Sequence, residues 1–431
     1  MKKGLIIVFE DEDYNRFYPL TLSRPIFHLL VGAKTNIQRI EHFFRDSTVV
    51  SICRSPQLGS VFGCASRDDV YQLVDNGIGK IMLINGSVVL TSENSGFVEE
   101  LKGLDDFTAF ERDNKLIASV IPTDKLSSIA DVIFHLYEEG QSRRFIEESP
   151  KTRKVEIRKL SYIWDTILSS SELIAIDFND YYKSKADNSI VGDSYTYTSG
   201  GVYFSESVRA DACSVIDSRN GPVIMEAGVK ISPFCYLEGP AFIGRNSHLV
   251  GGKITGGCSL GEGCRVGGEV ENTIMIANSN KYHEGFLGHS YIGEWVNLGA
   301  LTTNSDLKNN YSPINIKQNG KIEKTGEIKV GCFIGDHSKT GIGMTLNTGT
   351  IIGFSSNLFG GNLILEKEIP SFAWGNDSLR REYSLSKAME TADIVLKRRE
   401  HQFTNEHRLL FEHIHKETKE LRDSWLQGKK H

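Results

Sequence analysis

The residues best suited to chemistry gather in two stretches of the chain's second half. Asn272 to Gly285 and Asn304 to Gly326 are rich in Asn, Lys, Tyr and His, within a region otherwise dominated by aliphatic residues and glycine. The string NKYHEGFLGH carries His283 and, six residues on, His289. An unperturbed imidazole titrates near pH 6.5, so either could take or return a proton at neutral pH. Near the start, FEDEDYN sets Glu10, Asp11, Glu12 and Asp13 directly behind an apolar run. A row of carboxylates is the opposite of an anion cradle. The seven cysteines include no CxxC pair, which fits a reducing, cytoplasmic setting.

The elements that must position these groups fall into two textures. Residues 1 to about 185 alternate β-rich runs with helical patterns. Strands are predicted at Gly4 to Glu10, Ser47 to Cys53 and Lys80 to Leu90. Helices are predicted at Leu29 to Phe44, Arg67 to Asn76, Asp131 to Glu148 and Tyr162 to Ile176. This βαβ alternation reads as a mostly parallel sheet covered by helices.

From about Tyr195 to Trp374 a period of six takes over. Met225, Ile231, Leu237, Ile243 and Leu249 are spaced by six, and Val229, Cys235, Ala241 and Ser247 follow the first four at a distance of four. Further registers run Ile254, Leu260, Val266; Ile292, Leu298; and Ile328, Ile334, Thr340, Leu346, Ile352, Leu358, Ile364. Each unit supplies a short strand and a corner, with one aliphatic residue pointing inward. Three units close a triangular coil, and coils stack roughly 4.8 Å apart through strand pairing. The two polar stretches interrupt the period and are read as loops projecting from one face. The tail, Asn376 to His431, is charged and helical, with Leu410, Phe411, Ile414 and Leu421 as an apolar stripe. The domains are therefore 1–185, 195–375 and 376–431. The net charge of -6 gives no support to a nucleic-acid binder, and no apolar stretch approaches a membrane span.

The string GGEVENTIMIANSNKYHEGFLGHSYIGEWVNLGALTTNSDLKNNYSP resembles the acetyltransferase half of a bifunctional family. That family joins glucosamine-1-phosphate N-acetyltransferase to N-acetylglucosamine-1-phosphate uridyltransferase, and the likeness is to its divergent archaeal and Bacteroidetes-type branch. Phe9 to Gly32 and Ile163 to Asp165 resemble the nucleotidyltransferase domain of the same group. The resemblance implies a Rossmann-like α/β nucleotidyltransferase domain followed by a left-handed parallel β-helix of hexapeptide repeats and a C-terminal helix. It also implies a homotrimer, with acetyl-CoA, a sugar phosphate and an NTP (UTP) with Mg²⁺ as substrates and cofactor.

Carried over residue by residue, the resemblance makes His283 the general base and Asn297 a sugar ligand. Phe286 stands where the typical bacterial enzymes have a tyrosine, Lys253 where they have an arginine for the phosphate, and Glu271 where they have a lysine. Asn304 and Lys308, in the second polar stretch, are candidate substrate ligands, Lys308 as a substitute phosphate cation. Ala300, Gly341 and Gly353 are expected beside acetyl-CoA. In the first domain the GxGTR and PK motifs are absent, Arg24 is the candidate phosphate ligand, and Ile84-Asn85-Gly86-Ser87 lacks the carboxylate of the usual Gly-Asp. Asp165 or Asp177 could supply one, and the metal ligands are otherwise unassigned. Two other readings compete with a bifunctional enzyme: a nucleotidyltransferase whose β-helix only trimerises it, and a non-catalytic scaffold.

Overall fold

The computed structural model describes residues 4–186 and 192–428. These form two compact units: 4–17, 24–29 and 34–163 in the first, and 18–23, 30–33, 164–186 and 192–428 in the second. No helix among the described residues is long and apolar enough to cross a membrane.

The first unit is a six-stranded sheet with helices. In chain order its elements are β1 (Leu5–Phe9), α1 (Asn36–Phe43), β2 (Thr48–Ser51), α2 (Pro56–Phe62), α3 (Arg67–Asp75), β3 (Lys80–Asn85), α4 (Ser95–Gly103), β4 (Thr108–Arg112), β5 (Lys115–Pro122), α5 (Leu126–Ile133), α6 (Gln141–Glu148) and β6 (Thr152–Lys154). The strand order is β2-β1-β3-β5-β4-β6. β1 is parallel to both neighbours, as the alternation predicts, but β3–β5 and β5–β4 are antiparallel, so the sheet is mixed. The hairpin of β4 and β5 turns at Asp113 and Asn114, both at positive φ. This is the type of turn such residues favour, and it went unread in the sequence.

Three predicted elements are shorter than expected, each for a local reason. The Leu29 to Phe44 helix begins only at Asn36, because Thr35 and Gln38 form a capping box there. Gly32 before it sits at φ +69°, where a Cβ would collide with Leu173. The Asp131 to Glu148 helix is two helices parted by Gly140 at φ +82°. The strand ending at Leu90 stops at Asn85. Cys53 and Cys64, expected to be free thiols, are joined in a disulfide.

The second unit is a parallel β-solenoid with three faces. The first face has nine strands, from Val202–Phe204 to Glu368–Ile369. The second has ten, from Arg209–Ala210 to Arg380–Glu382. The third has six, from Tyr195–Tyr197 to Phe286–Gly288, and continues as three more. The predicted inward positions line the core: Met225, Ile243, Leu260 and Leu358 are fully buried, together with the corner residues Val229, Cys258 and Cys264.

Two expectations about the winding are corrected. Ile328 is 49% exposed and lies outside the stack, which resumes at Ile334. The stretch Asn272 to Gly285 is not a projecting loop: Ile274–Met275 and Asn280–Lys281 keep their parallel partners above and below. The coil there is shorter by sequence, and the apparent break is a shift of register. Asn304 to Gly326 does leave the winding, as an antiparallel hairpin of Asn315–Gln318 with Lys321–Lys324. The tail folds as Leu385–Lys397, Asn405–Glu417 and Lys419–Leu426, and Phe411 packs edge-on against Phe354 of the solenoid.

The inward position at residue 281 is a lysine. Lys281 stands directly over Val266, is 1% exposed, and donates to the carbonyls of Gly267 and His283. Burial pushes its ammonium down to about 8, against a smaller opposing effect of Glu284.

Two consequences can be measured. Leu260→Ala removes a side chain from the middle of the stack and is expected to cost the second unit about 2–5 kcal/mol, read by urea unfolding. Because the folded pKa of Lys281 lies below the unfolded one, the unfolded chain holds more protons between pH 8 and 10.5, so this residue makes stability rise with pH across that window. Lys281→Met is expected to flatten that part of the rise in urea midpoints compared between pH 8 and 9.5.

Candidate active site

On the second face each strand carries one inward and one outward residue. Parallel pairing in register therefore lines up the outward residues of successive coils. Arg265, Asn280 and Asn297 are such partners on three consecutive coils. Past Asn280–Lys281 the chain turns the corner toward Phe286–Gly288, and that turn presents His283, exposed to solvent. The result is an open cleft of about 370 Å³ lined by Arg265, Asn280, Tyr282, His283, Asn297 and Ala300, with Ile342 from the next coil. Three residues expected at an acyl-transfer site, His283, Asn297 and Ala300, thus meet in one place.

The polar groups of this cleft are oriented by a relay that starts in the tail. Arg399 donates to the Gly263 carbonyl and to Asn280 Oδ1, both at 2.9 Å. A guanidinium can only donate, which fixes which end of the Asn280 amide is oxygen. Asn280 Nδ2 then donates to Asn297 Oδ1 at 3.2 Å. The Asn297 oxygen is therefore occupied, and its NH₂ is the group left to meet a ligand. On the far side of the turn, Lys281 holds the His283 carbonyl from within the core.

The other expected residues are placed differently. Phe286 lies on the third face, its ring over Gly288, and its backbone N–H donates to Thr303. Lys253 is on the same face, with Nζ 3.2 Å from Glu269, and Glu271 is paired with Lys329 at 3.0 Å. None of these lines the cleft. Asn304 is buried and clasps the backbone of Gly288 with both ends of its amide. Lys308 donates to the Pro313 carbonyl within the projecting segment. Gly341 borders the cleft beside Ile342, on the coil whose Gly343 donates to the Ala300 carbonyl. Gly353 is buried at another corner, where a Cβ would come within 2.3 Å of the Ser371 nitrogen. His289 is buried and pinned to Asp306 at 2.7 Å, so it is not a second solvent-facing base.

In the first unit a cluster of polar side chains lies at the C-terminal ends of the parallel strands β1 and β3, the ends at which α/β sheets commonly bind ligands. Asn85 is fully engaged there. It donates to Asp11 Oδ2 and the Leu116 carbonyl, and accepts from the Ser87 N–H and hydroxyl. The carboxylates come from the segment after β1. Lys159 contacts Asp11 at 3.2 Å and Asp13 at 2.7 Å, and Lys115 contacts Glu12 at 2.6 Å and Asp13 at 3.1 Å. Glu10 is paired with Arg54. As arranged, these groups do not fit a divalent metal, because each carboxylate already has a cation bound to it. Arg24 is buried, and next to burial itself its charge helps push the His28 imidazole down to about 4. Asp165 and Asp177 belong to the second unit, where Asp177 accepts the Ala33 N–H at 2.7 Å.

The sequence reading missed Arg265, Asn280, Tyr282 and Arg399. Arg265 carries a legible signal, since it stands one residue before the inward Val266, whereas Asn280 does not, because the inward residue after it is Lys281. Arg399 carries none, since its place depends on how the tail folds back.

Comparison with known proteins places the boundary later than residue 163, where the first unit ends. A family model for sugar nucleotidyl transferase matches residues 6–185. The chain is 23% identical over 420 residues to the bifunctional protein GlmU of Methanococcus vannielii, covering 84% of this chain and 96% of that protein. It is 30% identical over 171 residues to the uncharacterized acetyltransferase YaiX of Escherichia coli, covering 39% of this chain and 73% of that protein. It is 32% identical over 96 residues to the bifunctional sugar-1-phosphate nucleotidylyltransferase/acetyltransferase of Sulfurisphaera tokodaii, covering 22% of this chain and 24% of that protein. The chain belongs to a divergent GlmU-like family of bifunctional transferases.

Proposed function

We propose that the second unit transfers the acetyl group of acetyl-CoA to the amine of an amino-sugar 1-phosphate of the glucosamine type. The observation that carries this is the meeting of His283, Asn297 and Ala300 in one cleft. The neutral amine attacks the thioester carbonyl. His283 takes the proton as the N–C bond forms, and returns it to the sulfur as the C–S bond breaks. The Asn297 NH₂, held outward by Asn280, is a donor for either the sugar or the oxyanion. The pantetheine arm lies along Ala300 and the Gly341 coil.

The first unit is assigned nucleotidyl transfer to the sugar 1-phosphate. The match over residues 6–185 and the bifunctional relatives support this. A left-handed winding, a homotrimer and a cytoplasmic setting complete the reading. The three-faced solenoid would be the element that carries such an assembly.

The test is thiol release from acetyl-CoA with glucosamine-1-phosphate or galactosamine-1-phosphate as acceptor. Wild type is expected to release thiol, and His283→Ala to be slower by about 10²–10⁴-fold with the same far-ultraviolet circular dichroism and the same mass in solution. No release from folded wild type, or an undiminished rate in His283→Ala, would refute the assignment and leave the solenoid as an assembly module.

A further inference from the structure

The cleft around His283 does not end at Arg265. The same ladder of outward residues continues toward the N-terminal coils as Lys230, His248 and Arg265, partners in register on three successive coils. These three, with Asn246 and Tyr282, line a second depression of about 370 Å³. Arg265 and Tyr282 belong to both depressions, so the two are continuous.

The charges on this face are arranged unlike those on the third face. There, cations and carboxylates alternate and pair: Arg219 with Asp217, Lys253 with Glu269, and Lys329 with Glu271. Among the described residues Lys230 and Arg265 make no ion pair. Two cations two coils apart, flanking a histidine and with Arg399 nearby, repel one another, and nothing in the fold requires them to be cationic. Burial, then the charges of Lys230 and Arg265, hold the His248 imidazole below its usual range, while Asp211 acts weakly in the opposite sense. Neutral His248 is bonded through Nε2 to the Ser232 hydroxyl at 2.9 Å. An anion seated between Lys230 and Arg265 would relieve the repulsion.

The proposed reaction supplies such an anion, and the residue expected to bind it is occupied. Lys253 is tied to Glu269 and is not in the cleft. We infer that Lys230, His248 and Arg265 form a seat for a phosphate monoester dianion of an acyl-transfer substrate. By its continuity with the His283 cleft, this is the 1-phosphate of the acceptor. The inference rests on the acyl-transfer reading for the identity of the ligand, though not for the existence of the seat. The other source of the same chemistry is the 3′-phosphate of acetyl-CoA.

Two measurements on the full chain separate these points. The first is calorimetric titration with glucose 1-phosphate, which carries the phosphate but no amine and cannot be acetylated. Wild type is expected to bind it, Arg265→Met and Lys230→Met to bind at least about ten-fold more weakly, and Lys321→Met, on the projecting hairpin, to match wild type. The second is steady-state kinetics. Arg265→Met is expected to raise KM for glucosamine-1-phosphate about ten-fold and to leave KM for acetyl-CoA within two-fold. A rise confined to acetyl-CoA, and absent with dephospho-acetyl-CoA, would keep the seat but overturn its assignment to the acceptor. Unchanged affinity for glucose 1-phosphate in both variants would overturn the seat itself. If wild type transfers no acetyl group yet binds glucose 1-phosphate through these residues, the acyl-transfer reading fails and the seat stands.

Discussion

A single coil of this solenoid cannot bury its own aliphatic residues; Leu260 is covered only because Ile243 lies on one side of it and Met275 on the other, at the spacing that parallel hydrogen bonds set. That constraint fixes the phase of every coil against the next. Once the inward residues are stacked, the outward residues have no freedom of register either. Polar side chains that are far apart in sequence become ladders on the surface, and the candidate active site is a stretch of one such ladder. Its geometry is inherited from the core, which is why Lys281, an inward residue, can hold the turn that presents His283.

The ladder also explains how a shallow surface can be selective. Asparagine amides are indifferent to which way they face unless a neighbour decides it. Here the decision is made by Arg399, whose donors reach the Gly263 carbonyl and Asn280, and is passed from Asn280 to Asn297. The tail is thus more than a cap on the last coils, since it sets the polarity of the amide that faces the cleft. In the first unit the same economy of charge works the other way. Lys115 and Lys159 bridge the carboxylates behind β1, so that each carboxylate there already has a cation against it.

The six-residue period was legible because the inward position tolerates almost only aliphatic residues, and the grouping of His283, Asn297 and Ala300 in one cleft was to be anticipated because the surrounding string resembles a family. What escaped has physical causes. The coil from Asn272 to Gly285 looked like a loop because Lys281 takes an aliphatic's place and the spacing to the next coil changes, while the backbone pairing continues. Ile328 fitted the arithmetic of the period but sits past the inserted hairpin, before the winding resumes. The antiparallel β4–β5 pair was hidden by the helix–strand alternation around it. Lys253 and Asn304 were placed by analogy, but a cation's availability depends on its partner and an amide's on what it already clasps, and neither is written in a one-dimensional string. Arg265 and Lys230 could have been picked out by reading the residue before each inward position as a column.

The central claim is that an amino-sugar phosphate is held on this ladder with its amine beside His283. The most direct measurement is a structure of the full chain with glucosamine-1-phosphate and coenzyme A bound. The account predicts the sugar amine within hydrogen-bond reach, about 3 Å, of the His283 imidazole, with the Asn297 NH₂ on the ligand. A sugar phosphate bound with its amine away from His283, or on a face that does not include Asn297, would contradict it.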